Sequence, residues 1–352
     1  MRGRWLDTVR RGVLVGLACL GAGCGGGGGP CWQEGALCFP VPPTGQSACY
    51  DNEGSIACPG EAGDPTCGST PFCGQDAQQG RAPRTFTVQA VGDERVVMDS
   101  LTGLIWQQAF VGEKTVQEAL DLCSDLVYAG EDDWRLPDYH EIAGIADYGR
   151  HSPAIDTAAF PGTPGDWFWS SSPYHYQAID WSVEGVFDVD FVDGSVEFGD
   201  EVDSLEHVRC VRGEQIVVQG SDRFVVSGSA NDEVVRDRAT GLRWQKEEVP
   251  LKTWEQALVT CEGLSLGGHD DWRLPDINEL RSLVNPKTVV PASDFPGMSS
   301  DWFWSSSSSV ALASEAWGIA FGVGNVTTLD KTIDCQEGCA YPVSVRCVRG
   351  VP

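Results

Sequence analysis

A stretch of about 130 residues, ordinary single-domain size, occurs twice in this chain, and the duplication limits what it can fold into. Asp99-Ser-Leu-Thr-Gly-Leu-Ile-Trp106 returns 138 positions later as Asp237-Arg-Ala-Thr-Gly-Leu-Arg-Trp244. Asp132-Asp-Trp-Arg-Leu-Pro-Asp138 returns at the same spacing as Asp270-Asp-Trp-Arg-Leu-Pro-Asp276, and Cys123 as Cys261. Asp166-Trp-Phe-Trp-Ser-Ser-Ser172 matches Asp301-Trp-Phe-Trp-Ser-Ser-Ser307, and each copy closes on Val-Arg-Cys-Val-Arg-Gly, ending at Gly213 and Gly350. Residues 84–213 and 222–350 therefore each form a domain large enough to bury its own core. Two long copies make a tandem pair, whereas a solenoid repeats at shorter periods and more often.

Thr115-Val-Gln-Glu118 and Thr253-Trp-Glu-Gln256 have capping-box form, so a helix starts at each. Ala119, Leu122, Cys123 and Leu126 then lie on one face, as do Ala257, Cys261 and Leu264, which turns each cysteine to the core. A second helix follows Pro137 and Pro275, with Ile142 and Ile145, or Leu280, Leu283 and Val284, inward. The remainder reads as short strands, among them 95–98, 188–192 and 316–321, separated by Gly, Asp and Ser. The expected fold is α+β, two helices and a mainly antiparallel sheet per repeat.

Residues 1–23 read as a signal peptide, with Arg2, Arg4, Arg10 and Arg11 ahead of a short apolar run. Small residues before Cys24 make that cysteine the expected lipidation site, with 24–30 as a glycine-rich tether; plain secretion is the alternative. An outer-membrane or cell-surface location follows, with contact to the membrane through the lipid alone. Setting Cys19 and Cys24 aside leaves twelve of the fourteen cysteines, an even number suited to disulfides in an exported chain. Duplication pairs Cys123 with Cys210 and Cys261 with Cys347. Cys335 and Cys339 make a local loop in the second repeat. Cys31, Cys38, Cys49, Cys58, Cys67 and Cys73 remain for residues 31–83, a segment too poor in aliphatic residues to build a core.

Taken together, Thr-Gly-Leu-x-Trp, Asp-Trp-Arg-Leu-Pro, Phe-Trp-Ser-Ser and Val-Arg-Cys-Val-Arg-Gly, twice in that order, resemble the Lcl C-terminal domain family, named from a collagen-like bacterial adhesin. Thr44-Gly-Gln-Ser-Ala-Cys-Tyr50 and Gly74-Gln-Asp-Ala-Gln78 resemble the leader segment that often precedes the domain. The resemblance implies a C-type lectin-like fold, a group that also contains formylglycine-generating enzymes, and such domains bond a helix cysteine to one in the closing strand. Fold membership does not itself assign an activity.

The paired acids Asp132, Asp133, Asp270 and Asp271 are candidate calcium ligands; the alternative is a polar turn in which they pair with Arg135 and Arg273. Trp167, Trp169, Trp302 and Trp304 alternate with Phe, so the two residue types point to opposite faces, either to stack on sugars or to pack the core. Ser170–Ser172 and Ser305–Ser309 would need a base to act as nucleophiles, and no histidine is shared by the two copies. The net charge of −27 falls to about −30 without the leader, which excludes nucleic acid and sulfated glycans as partners. The first repeat has an aromatic and acidic insertion after Trp181. Tyr174, Tyr176, Trp181, Phe187 and Asp190 are therefore its candidate ligand residues. These features predict a non-catalytic cell-surface binding or adhesion protein whose partner is a glycan or a surface protein, without a cofactor unless calcium binds. The alternatives are a structural envelope spacer and, third, an oxidase related to the formylglycine generators.

Overall fold

A computed structural model describes residues 39–60, 66–177, 182–199, 204–215, 222–250, 252–333 and 343–350. The proposed leader, Cys24, the tether, Cys31, Cys38, Trp181, Cys335, Cys339 and the side chain of Tyr176 lie outside them.

Each repeat begins with a hairpin. In the first, strand Phe86–Val91 pairs with Glu94–Asp99 across a two-residue turn in which Gly92 takes φ +62°, a region open to glycine. Ile105–Gln107 and the closing Val211–Arg212 complete an antiparallel four-stranded sheet. The second repeat builds the same sheet from Phe224–Ser227, Val234–Asp237, Arg243–Gln245 and Val348–Arg349. Asp99 accounts for the Asp-x-x-Thr-Gly motif. It takes the amide of Leu101 (3.0 Å) and the Thr102 hydroxyl, and Arg84 pairs with both its oxygens. Asp237, Ala239, Thr240 and Arg223 repeat this arrangement, with no exposure at Asp237.

Helices α1 (Val116–Ser124) and α3 (Trp254–Glu262) start at the capping boxes of Thr115 and Thr253. The shorter α2 (Tyr139–Gly144) and α4 (Ile277–Arg281) are capped by Asp138 and Asp276, which accept from the amides of Glu141 and Glu279 at 2.9 and 2.8 Å. Those glutamates also clamp Arg135 (2.5 and 2.7 Å) and Arg273 (2.6 and 2.7 Å). Each repeat is stapled from helix to closing segment, Cys123 to Cys210 and Cys261 to Cys347.

The two repeats share one nine-stranded sheet. Trp167–Gln177, Ser182–Asp190 and Ser195–Gly199 of the first join Asn325–Asp330, Glu315–Ala320 and Trp302–Ser308 of the second through an antiparallel bridge between Val196 and Val326. Phe and Trp alternate across this sheet as expected. Phe168 and Phe303 face a core common to both repeats, whereas Trp169 and Trp304 face separate cores that contain the disulfides. Across the joint Tyr139 donates to the carbonyl of Gly324 (2.9 Å), Arg281 to that of Ala143 (2.7 Å), and the rings of Tyr148 and Trp317 meet edge to face at 5.0 Å.

Residues 39–83 are not a free-standing cysteine-rich unit. Two disulfides, Cys49–Cys58 and Cys67–Cys73, shape the segment, but its fixed points lie on the second repeat. Phe39 donates its amide to Ala239 (3.1 Å), Asn278 donates to Pro42 (3.0 Å), Lys331 to Asp51 (2.9 Å), and Arg81 forms an ion pair with fully buried Asp276. The same segment touches the first repeat, where Tyr148 donates its amide to Thr44 (2.7 Å). A segment with too little apolar surface for its own core thus orders itself on a neighbour's.

Candidate functional site: a cleft between the N-terminal segment and the first repeat

The residues that drew attention in the sequence are mostly committed to the scaffold. Trp134 and Trp272 donate their indole N–H to Tyr128 and Leu266 (3.0 and 3.1 Å), and Trp169 and Trp304 donate to Lys114 and Lys252 (2.8 and 2.9 Å). The serines are buried apart from Ser171, which is half-buried. Ser172 caps the amide of Tyr139 (2.9 Å), Ser305 donates to Trp317 (2.7 Å), and Ser307 donates to Asp76 (2.6 Å) while accepting from Ile277 (3.1 Å). None of these three contacts supplies a serine with a base of the histidine type. Arg209 and Arg346 are enclosed by backbone carbonyls and by the rings of Phe160 and Phe295; burial lowers them to about 9 and about 10.

The acidic turns are surface ion pairs, and their partners differ from those expected. Asp133 pairs with Arg212 (2.5 Å) and Asp271 with Arg349 (2.7 Å), because Arg135 and Arg273 are spent on Glu141 and Glu279. Asp132 and Asp270 are exposed. No group of three or more metal-ligating side chains occurs among the described residues.

The insertion of the first repeat lengthens the hairpin of Trp167–Gln177 and Ser182–Asp190. Tyr174 and Phe187 do not form an open face on it. Tyr174 stacks on Phe198 at 3.9 Å and Phe187 meets Tyr139 at 5.0 Å, both rings buried, because the added residues are used to pack the joint between repeats. Asp190 is half-buried and accepts from the amide of Val192 (2.7 Å); burial raises its pKa. Near the hairpin, Asp188 is buried and Glu206 half-buried, and the two carboxyls interact electrostatically. Burial, with the charges of Glu197 and Asp190, pushes Asp188 up to about 7, and burial with the charge of Asp188 pushes Glu206 up to about 9, so Glu206 retains its proton at neutral pH.

A concave polar site lies elsewhere. A cleft of about 480 Å³ opens where the N-terminal segment crosses the first repeat, a volume in the range of small-ligand sites. Its lining comes from three stretches of chain: Pro43, Thr44 and Ser47; Asp76, Arg81, Arg84 and Phe86; and Asp147, Arg150 and Asp156. Gly45, at φ +82°, packs so closely on the carboxylate of Asp147 that a side chain there would collide with it. Arg150 donates from Nε to Asp147 (2.7 Å), while its Nη2 stands 4.0 Å from Asp156. Burial and the charge of Asp276 push Asp76 up to about 7. Thr44, Gly45, Ser47 and Asp76 lie in the two segments that resembled the family's leader, but neither they nor Arg84, Asp147, Arg150 and Asp156 were read from the sequence as site residues. Asp76, Arg84 and Asp147 belong to distant segments, and only the docking of residues 39–83 brings them together.

Among the described residues no helix is long and apolar enough to cross a membrane. No curated protein and no solved structure matches the chain. The Lcl C-terminal domain matches residues 95–212 and again residues 233–349, most of both repeats and more than half of the chain. The cysteine staples, the buried arginines and the capped helices described above recur within both matched ranges, and the chain belongs to the Lcl C-terminal domain family.

Proposed function

We propose that this is a non-catalytic binding protein of the cell surface, exported and held by a lipid on Cys24, that acts in adhesion to a glycan or a surface protein. One observation carries the reading. Both copies spend their serines, tryptophans and arginines on the scaffold, while the cleft beside the first repeat retains half-exposed polar groups. The bond from helix cysteine to closing segment supports a C-type lectin-like architecture for each repeat. An oxidase of the formylglycine-generating kind needs reactive thiols late in the domain, and Cys210 and Cys347 are disulfide-bonded. Calcium, if it takes part, enters at the acidic turns, where it must displace Arg212 or Arg349.

The test is a binding screen of the mature chain against arrayed glycans and immobilised surface proteins, with and without millimolar calcium. Saturable binding to one class supports the proposal. A blank screen in both conditions replaces it with the structural-spacer alternative, which the heavy commitment of motif residues to packing favours.

A further inference from the structure

We infer that the cleft between the N-terminal segment and the first repeat binds a neutral polyhydroxyl ligand, a sugar of one or two rings. This assignment rests on the binding reading above and names its site and ligand class.

The argument is one of donors and acceptors. An anion finds each lining guanidinium already balanced by a carboxylate: Arg81 is held by Asp276 and the carbonyl of Val41 (2.6 Å), Arg84 by Asp99 and the carbonyl of Gly144, and Arg150 through its Nε by Asp147, with only its Nη2 left open. A cation finds no free group of carboxylates either. Asp147 and Asp156 flank the same guanidinium, and Asp76 accepts from Ser307 in a fully buried setting. A charged ligand would enter this cleft with its own charge uncompensated, which is costly away from water.

Spare hydrogen-bonding capacity of both kinds remains, a donor on Arg150 and an acceptor on Asp156. Arg150 is 46% exposed along its side chain and Asp156 34%. Asp156 Oδ1 accepts from the amides of Ala158 (2.9 Å) and Ala159 (3.4 Å) and stands 4.0 Å from Nη2, too far for a direct hydrogen bond, so one oxygen that accepts from Nη2 can donate to the remaining capacity of this carboxylate. A hydroxyl group does both, whereas an ammonium only donates and a carboxylate only accepts. Ser47, exposed in the lining, makes no side-chain hydrogen bond among the described residues and adds a further donor and acceptor. Phe86, Ile145, Pro43 and Pro83 supply apolar wall for the C–H face of a pyranose ring.

The test titrates the mature protein calorimetrically with maltose, cellobiose and lactose, and with glucosamine and glucuronate as charged counterparts. The expected result is saturable binding of at least one neutral disaccharide, weaker binding of both charged sugars, and a loss of about tenfold or more in Arg150→Ala, which removes charge-assisted hydrogen bonds. Ser47→Trp, which fills the mouth from an exposed position, is expected to lose binding with an unchanged melting temperature. Absence of saturable binding by every neutral sugar, tighter binding of a charged one, or binding that survives Ser47→Trp would each overturn the assignment. Retention of a protein or glycan partner by Ser47→Trp in the array screen would remove this site while leaving the surface-binding reading intact.

Discussion

Val196 pairs with Val326, and each is the other's counterpart, five residues after Phe191 in the first repeat and five after Phe321 in the second. Antiparallel pairing of equivalent residues places a local two-fold axis through the bridge. Ala143 and Arg281, also equivalent, meet across the same joint at 2.7 Å. The repeats are therefore joined as a symmetric dimer would be, within one chain, and each covers the sheet edge that the other would expose. Residues 84–215 expressed alone present the edge 195–199 together with Tyr139 and Phe187 to solvent, and such edges template association. Light scattering after size-exclusion chromatography is expected to find dimers or larger species; a stable monomer would contradict the role given to this joint.

The staples hold long loops. Cys123 and Cys210 are 87 residues apart, and closing a loop of that length stabilises a fold by about 2–5 kcal/mol. The double variant Cys123→Ala, Cys210→Ala is expected to lose stability in that range, measured as the shift in the urea unfolding midpoint. A midpoint unchanged from the parent would show that the bond contributes nothing.

Asp188 and Glu206 give the fold a definite pH dependence. Their pKa values are raised in the folded state, to about 7 and about 9, so the folded chain binds protons that the unfolded chain releases. Stability from this pair is fully present below the ordinary carboxylate range and is lost as pH rises through 7 towards 9. Glu206→Gln keeps the side chain's size and polarity without its ionisable group. Its melting temperature is expected to exceed the parent's at pH 8.5 and to approach it at pH 5; equal differences at both pH values would remove the pair as the cause.

Arg81 holds the N-terminal segment on the second repeat through Asp276, which is fully buried at the start of α4. Removing one partner of a buried pair costs about 3–5 kcal/mol because it strands the other charge. Arg81→Ala is expected to expose residues 66–83 to proteolysis at protease concentrations that leave the parent intact. Equal protection in parent and variant would show that other contacts suffice.

The local features were legible in the sequence because duplication repeats them. Thr115, Thr253, Asp138 and Asp276 do cap helices, the Phe–Trp alternation does divide two faces, and the cysteine pairs are those that the repeat predicts. What joins distant segments was not. The partner of Asp133 is Arg212 and not nearby Arg135, since Glu141 already holds Arg135 with two hydrogen bonds. Tyr174 and Phe187 read as surface aromatics because the hairpin insertion has no counterpart from which to infer burial, yet both pack inward. The cleft depends on where residues 39–83 dock, and that docking runs through backbone carbonyls of Ala239, Thr44 and Pro42, which leave no mark in side-chain pattern.

The central claim is that two repeats and the N-terminal segment make one cooperative body on which the cleft is a built feature. Differential scanning calorimetry of the protein tests it most directly. One transition is expected, with calorimetric and van't Hoff enthalpies equal within error, as for a single cooperative unit. Two resolved transitions, or a calorimetric enthalpy near twice the van't Hoff value, would mean that the repeats unfold independently and would contradict the shared core.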